Sequence, residues 1–141
     1  KISPDINDVD IDTICNNVLE FHLDGLVLTN TSVNLRENLI SNKKREKGGL
    51  SGTPIQKTSN LIIKKFFKKI GKKFPLIGVG GINSGATAYE KIKSGASLLQ
   101  LYTGLVFRGP FVINTIKQEL SELLRKDGFS SLKEAIGVDC K

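Results

Sequence analysis

The chain has 141 residues and a net charge of +7, with 39% hydrophobic and 25% charged residues. This composition is typical of a globular domain with a core of its own, and no apolar run reaches the roughly 18–20 residues that span a bilayer. Cys15 and Cys140 stand far apart without metal-ligand spacing, which argues against a disulfide framework and against a zinc site.

Apolar periodicity predicts an alternation of strands and helices along the chain. Strands are predicted over residues 26–29, 76–80 and 98–102. Helices are predicted over residues 10–21, 84–94, 111–126 and 131–136, with a lysine-rich helix that ends near residue 72. Between them lie a polar, basic connection over 33–47 and a glycine-rich turn at 48–52. This order predicts an α/β fold with a parallel sheet.

The lysine-rich helix carries much of the positive charge. Ile62, Ile63 and Phe66 fall at helical spacing, and lysines fill the opposite face, which predicts a helix with its charged face in water. The alternative is a basic binding module in which the lysines of 43–47 and 64–73 contact an anionic partner. Nothing in the chain is typical of a nucleic-acid-binding module, so no nucleic-acid partner is predicted. His22, the only histidine, precedes a strand and is predicted to be structural.

Small residues follow two neighbouring predicted strands at the point where each strand ends. Gly80 ends the strand over 76–80 and Gly81 follows it, and Gly104 follows the strand over 98–102. Glycine lets the backbone approach a ligand closely, and N–H groups near helix N-termini favour a phosphate. In a (β/α)8 barrel the loops after the seventh and eighth strands often build such a site. The pattern predicts a cofactor phosphate site in part of a barrel.

The predicted strand ends fall at Lys1, Thr29, Gly80 and Tyr102, and parallel crossovers place all four on one edge of the sheet. Four strands do not close an eight-stranded barrel. The chain is therefore predicted to form either an open doubly wound sheet or half of a barrel. The half barrel is favoured because the chain starts at the functional tip of a strand. Its open inner face is predicted to expose four apolar side chains, namely Leu26, Leu28, Ile77 and Val79.

Several short motifs follow one another along the chain. They are Lys-Ile-Ser-Pro-Asp at 1–5, Thr-Asn-Thr at 29–31, Gly-Gly-Leu-Ser-Gly at 48–52, Gly-Val-Gly-Gly-Ile at 78–82 and Gln-Leu-Tyr-Thr-Gly at 100–104. In this order they resemble the C-terminal half of the class 2, quinone-dependent dihydroorotate dehydrogenases. The last motif, with Gly109-Pro110, separates this class from the soluble class 1 enzymes, and the tail over 128–137 is similar to mitochondrial members.

The resemblance implies a TIM (β/α)8 barrel of which residues 1–141 supply roughly strands 5 to 8, the C-terminal half of one FMN-binding domain. It implies that Gly81 gives a backbone N–H to the FMN phosphate, supported by Gly80, with Tyr102 and Thr103 as further donors. Lys1 is implied to lie beside the flavin ring near N1. The remaining flavin contacts implied are Thr29 and Gly52, with Ser51 as a possible helper.

The same resemblance implies the reaction and the partners. Asn30 and Thr31 bind the pyrimidine of dihydroorotate or orotate, where the family usually continues with threonine and this chain has Ser32. A base takes a proton from C5 while a hydride passes from C6 to the flavin, which a ubiquinone-type acceptor reoxidises. That base is a serine upstream of Lys1, so this chain holds no catalytic residue and is expected to be inactive alone.

The implied N-terminal half also carries the membrane association, at the mitochondrial inner membrane in a eukaryote or at the cytoplasmic membrane in a bacterium. Within enzymes, the alternative is a soluble class 1 enzyme or another FMN-barrel oxidoreductase. A basic, non-enzymatic binding module is the alternative of a different class.

Overall fold

A computed structural model describes residues 1–72 and 74–140 of the chain. Its elements, in chain order, are α1 (Asp8–Glu20), β1 (Leu26–Leu28), α2 (Gln56–Ile70), β2 (Leu76–Val79), α3 (Gly85–Lys93), β3 (Leu98–Gln100), α4 (Thr103–Arg108), α5 (Val112–Lys126) and α6 (Leu132–Ala135). A 3-10 helix over Thr53–Ile55 leads into α2, and another over Val138–Cys140 follows α6. None of the helices in these residues has both the length and the apolar character that crossing a bilayer requires.

The strands form a parallel sheet in the order β1-β2-β3. The first residues of the chain extend it, because Ile2 makes a parallel bridge to Leu28 and its N–H donates to the carbonyl of Val27 at 3.0 Å. Each strand therefore lies beside the next one along the chain. The predicted α/β fold with a parallel sheet is confirmed, while the first segment contributes a single bridge in place of a full strand.

One face of the sheet is covered by α1 and α2. Leu26, Leu28 and Leu76 are buried there in a cluster with Ile11, Val18, Ile62, Ile63 and Phe66. Phe66 has no exposed surface, so the apolar stripe predicted for the lysine-rich helix is the stripe that packs on the sheet.

The other face of the sheet is open. Val27, Ile77 and Leu98 stand side by side in the strand register, and the Leu98 side chain is 60% exposed. The prediction that Leu26 and Leu28 lie on the open face is wrong. Side chains alternate along a strand, so Val27 faces the side of Ile77 while its two leucine neighbours face the helices.

The lysines of α2 are partly neutralised by α1. Lys65 Nζ lies 2.5 Å from Asp8 Oδ1, and Lys69 forms an ion pair with Asp12. The hydrogen bond that Lys69 donates to the Asp12 carboxylate raises the pKa of Lys69 and keeps it charged. These pairs support the interpretation of α2 as a helix with a solvated basic face. Two of the lysines that the anionic-partner alternative needs are thus paired within the chain.

Two N–H groups in the first turn of α3, those of Gly85 and Thr87, already have side-chain partners. Ser84 caps the helix, with its hydroxyl accepting from the Thr87 N–H, and the Gly85 N–H donates to Glu119 Oε2 of α5. A carboxylate thus occupies the place where an anion would bind. An anion bound at the glycine pair 80–81 would therefore need N–H donors from a helix other than α3.

Candidate functional site

A cavity of about 260 Å³ lies at the carboxyl edge of the sheet. The cofactor and substrate residues predicted from the sequence all line it, namely Lys1, Thr29, Asn30, Thr31, Gly52, Gly80, Gly81, Tyr102 and Thr103. The rest of the lining consists of Ser51, Ile55, Val79, Ile82, Leu101 and Gly104. The sequence therefore predicted which residues come together, while the role of each remains a prediction.

Backbone hydrogen bonds hold the strand ends in place around the cavity. The Thr29 N–H donates to the carbonyl of Val79 at 3.1 Å, and the Asn30 N–H donates to the carbonyl of Ile2 at 2.7 Å. The segment that carries Thr29 is thus hydrogen-bonded on one side to the segment with Lys1 and on the other side to the segment with Gly80. A ligand in the cavity would meet a wall whose backbone is already fixed.

Thr29 carries a buried hydroxyl that lacks a partner. The residue has no exposed surface, and among the described residues its Oγ1 makes no hydrogen bond. A buried polar group without a partner costs free energy, about 1–3 kcal/mol, unless something else satisfies it. Because Thr29 lines the cavity, a polar ligand atom bound there would satisfy it.

Two glycines shape the cavity through left-handed backbone conformations. Gly81 has φ +79° and Gly52 has φ +77°. A Cβ at Gly81 would lie 2.8 Å from the Cα of Gln56, and a Cβ at Gly52 would lie 2.9 Å from the Cγ2 of Thr103. Both positions therefore require glycine, and both leave the backbone open to a ligand.

The start of helix α4 supplies free N–H groups beside the glycine turn. Tyr102 is its N-cap and Gly109 its C-cap. Within residues 1–72 and 74–140, the N–H groups of Gly81, Thr103 and Gly104 make no hydrogen bond. Gly104 approaches the carbonyl of Ile82 so closely that a Cβ would collide with it. Together these donors form a nest that suits a phosphate, at the short extra helix where (β/α)8 barrels often bind one.

Helix α4 was not predicted from the sequence. It has six residues, too few for apolar periodicity to register. Two signals were present, because Arg108 suits a last helical turn and Gly109 suits the residue after it. The predicted strand over 98–102 is correspondingly shorter in the structure, since residues 101 and 102 turn into α4.

Hydroxyl groups connect two sides of the nest. The Thr103 hydroxyl donates to Ser51 Oγ at 2.9 Å, which joins α4 to the glycine-rich turn before α2. The proton of Ser51 is then directed away from Thr103 and is available to an anion. Ser51, weighed as a helper in the sequence, therefore has a defined place beside Thr103.

Lys1 gives the cavity its charge. Among the described lining residues Lys1 is the one with a charged side chain, and none of them carries a carboxylate. Its side chain is exposed, so it can reach a ligand without first breaking a buried contact. The lining therefore favours an anionic ligand. His22, at φ +50°, lies before β1 at the edge of the sheet opposite the cavity, and its structural role remains a prediction.

Asp5 ties the segment after β1 to the first segment of the chain. Its carboxylate accepts from the Ser32 hydroxyl at 2.6 Å and from the Val33 N–H at 2.7 Å. Ser32 also bridges to Leu50, which closes the long loop between them. Ser32 is buried and its hydroxyl bonds to Asp5. The serine at the position where the family usually has threonine therefore helps to hold the loop in place.

Removal of the Asp5 carboxylate is expected to loosen the segment that carries Asn30 and Thr31. Asp5→Ala deletes two hydrogen bonds to a carboxylate, so we expect the free energy of unfolding to fall by about 1–3 kcal/mol. Hydrogen exchange measured by mass spectrometry should become faster in peptides covering residues 31–35 and stay unchanged in α3. Asp5→Asn keeps one acceptor oxygen and should give an intermediate result. Unchanged exchange at 31–35 would contradict the role of this carboxylate.

Comparison with known proteins identifies relatives of the whole chain. A sequence model of a family described as dihydroorotate dehydrogenase matches residues 1–124. A protein of Rhodospirillum rubrum named dihydroorotate dehydrogenase (quinone) is 43% identical over 139 residues, covering 99% of this chain and 38% of that protein. A mitochondrial protein of the same name from Arabidopsis thaliana is 45% identical over 141 residues, covering 99% of this chain and 30% of that protein.

A solved structure has the same fold over the same extent. The crystal structure of ligand-free DHODH from Eimeria tenella matches with a TM-score of 0.94 and 38% identity, covering 98% of this chain and 38% of that chain. The chain thus spans between 30% and 38% of the length of these relatives. The resemblance predicted from the motifs is confirmed, and this chain belongs to the dihydroorotate dehydrogenase family.

Proposed function

We propose that this chain forms the cofactor- and substrate-binding part of a quinone-dependent dihydroorotate dehydrogenase, which oxidises dihydroorotate to orotate in pyrimidine synthesis. The observation that carries the proposal is the cavity that gathers the strand-end residues, together with the Thr29 hydroxyl and the N–H groups at Gly81 and α4, which have no partner among the described residues. The names of the relatives give the reaction and the class of acceptor.

The rest of the enzyme is proposed to complete a (β/α)8 barrel around this sheet. Residues 1–141 would be the C-terminal half of one domain and would supply roughly strands 5 to 8. The open face formed by Val27, Ile77 and Leu98 supports this proposal, because an apolar sheet face needs a partner layer. The N-terminal half of the same enzyme is the proposed partner.

The residues of the cavity fit FMN. The Gly81, Thr103 and Gly104 N–H groups would hold the phosphate, and Gly80 would support the turn. Thr29 would satisfy its buried hydroxyl on the flavin, with Gly52 close to the ribityl chain. When bound, FMN would supply the redox chemistry by accepting a hydride.

Lys1 has an electrostatic task in this arrangement. A fixed cation at the flavin edge stabilises the negative charge that reduction creates there. The described lining residues include no carboxylate that would neutralise Lys1. Lys1 therefore tunes the reaction without donating or accepting the transferred proton.

Asn30 and Thr31 would orient the substrate. Both are exposed in the cavity, one and two residues beyond the buried Thr29. The amide of Asn30 offers a donor and an acceptor, and the hydroxyl of Thr31 offers both as well. These groups match the alternating donors and acceptors along the edge of a pyrimidine ring. The serine base that takes the C5 proton is proposed to lie outside this chain.

The acceptor is proposed to be a quinone of the ubiquinone type, reached through the missing half, which would also carry the membrane association. In a eukaryote the enzyme would lie at the mitochondrial inner membrane, as the name of the Arabidopsis thaliana relative suggests. In a bacterium it would lie at the cytoplasmic membrane.

The test of this function is an assay of the complete dehydrogenase, comparing a quinone with fumarate and NAD as acceptors. We expect turnover of dihydroorotate with the quinone alone. Asn30→Ala should raise KM for dihydroorotate about 10- to 100-fold, since it removes hydrogen bonds to a buried ligand, and should leave the FMN content unchanged. Asn34→Ala, in the exposed loop beyond the cavity, is the matched control.

Each result of this assay has a distinct meaning. Turnover with fumarate or NAD would assign the enzyme to a soluble class. Equal effects of the two asparagine substitutions on KM would remove Asn30 from the substrate site.

A further inference from the structure

Lys91 is a buried lysine behind the anion-binding edge of the sheet, and none of the steps above uses it. It lies in α3 and has no exposed surface. Its Nζ donates to Ser59 Oγ at 2.9 Å and to Asn60 Oδ1 at 2.7 Å, both on α2. Among the ion pairs of the described residues, none includes Lys91. Full burial of a lysine without an anionic partner is rare, so its contacts require an explanation.

Ser59 extends this contact to strand β2. The Ser59 hydroxyl donates to the carbonyl oxygen of Val79 at 2.6 Å, and the Thr29 N–H donates to the same oxygen at 3.1 Å. The peptide between Val79 and Gly80 is trans and planar, so its N–H points opposite to its carbonyl. Holding this carbonyl in place therefore fixes the plane of the Val79–Gly80 peptide, and Gly80 lines the cavity.

The strand makes room for the lysine. A Cβ at Gly78 would lie 2.7 Å from the Cδ of Lys91, so glycine in the middle of β2 lets the side chain pass between the strand and α2. Burial lowers the pKa of Lys91 to about 7, and the charge of the neighbouring Glu90 opposes this shift more weakly. Either protonation state retains two N–H donors, which is what the contacts to Ser59 and Asn60 require.

We propose that Lys91 is a positioning residue for phosphate binding, which acts through Ser59 and the Val79 carbonyl to fix the glycine turn at 80–81. This inference rests on the proposed function, because the phosphate in question is that of FMN. Lys91 itself does not touch the cavity. Its hydrogen bond polarises the Ser59 hydroxyl and so strengthens the bond from that hydroxyl to Val79.

The test compares FMN with riboflavin, which lacks the phosphate, on the complete dehydrogenase stripped of its flavin. Lys91→Met keeps the length of the side chain and removes its donors. We expect Kd for FMN to rise at least about 10-fold and Kd for riboflavin to stay unchanged, so that the preference for FMN falls. Ser59→Ala should have the same effect, and the double variant should lose no more than either single variant. Lys57→Met, on the exposed side of α2, controls for the loss of one positive charge and should change neither Kd.

Equal weakening of both flavins would overturn the inference, because it would assign Lys91 to the general stability of the fold. Unchanged FMN affinity would overturn it as well. If Lys91→Met fails to fold, Ser59→Ala keeps the lysine and provides the same comparison. A parent protein that binds neither flavin would instead overturn the proposed function, and the inference with it.

Discussion

Gly81→Ala is expected to remove FMN from the complete dehydrogenase. The residue has φ +79°, a conformation that costs an L-residue roughly 1–2 kcal/mol, and the new Cβ would also press against Gln56 at the start of α2. Relief of this contact must move the N–H that is proposed to bind the phosphate. We expect Kd for FMN to rise at least about 100-fold, which corresponds to about 3 kcal/mol. Flavin fluorescence after dialysis measures this loss directly.

Gly128→Ala is the matched control for this substitution. Gly128 has φ +80°, nearly the same backbone conformation, but nothing lies within 4 Å of its Cβ position. It should therefore show the cost of strain alone, about 1 kcal/mol of unfolding free energy, with full flavin content. A Gly81→Ala variant that retains FMN at the affinity of the Gly128→Ala variant would contradict the placement of the phosphate at Gly81.

Residues 1–141 purified alone are expected to show no dihydroorotate-dependent reduction of quinone. The proposed serine base is not in this chain, and the open sheet face would lack its partner layer. With Leu98 60% exposed, the isolated chain should self-associate or bind the missing half. Intact-mass spectrometry under denaturing conditions, beside a visible spectrum with flavin bands near about 370 and 450 nm, identifies which polypeptides and cofactor are present.

Coexpression with the rest of the enzyme provides the positive arm of this experiment. We expect flavin bands and turnover to return together, because both depend on a closed site. Turnover by the isolated chain, free of any other polypeptide, would show that this prediction is wrong. A colourless and inactive coexpressed complex would argue against the proposed division of the barrel.

The sequence predicted the cavity better than it predicted the faces of the sheet. Glycines at 80–81 and polar residues at 29–31 follow apolar segments, and parallel strands bring such ends to one edge whatever the packing details. The strand Leu26–Leu28 is apolar at every position, so its alternation gave no sign of which side chains meet the helices. Only the register with Leu76, Ile77 and Gly78 decides this.

Contacts between residues far apart in the chain also could not be predicted from the sequence. Asp5 meets Ser32 across 27 positions, and Lys91 meets Ser59 across 32. No local pattern marks such pairs. A lysine on an amphipathic helix is ordinarily exposed. The sequence alone would therefore place Lys91 on the surface, whereas the structure buries it.

The two unlike faces of the sheet have a consequence for mutational scans. Abundance in cells follows the unfolding free energy, so a scan of this segment alone would record large effects at Leu28 and Leu76, which are buried beneath the helices. Val27 and Leu98 would tolerate many residues in that scan and become sensitive only when the adjoining segment is present. The difference between the two maps would outline the surface that this part of the enzyme shares with the rest.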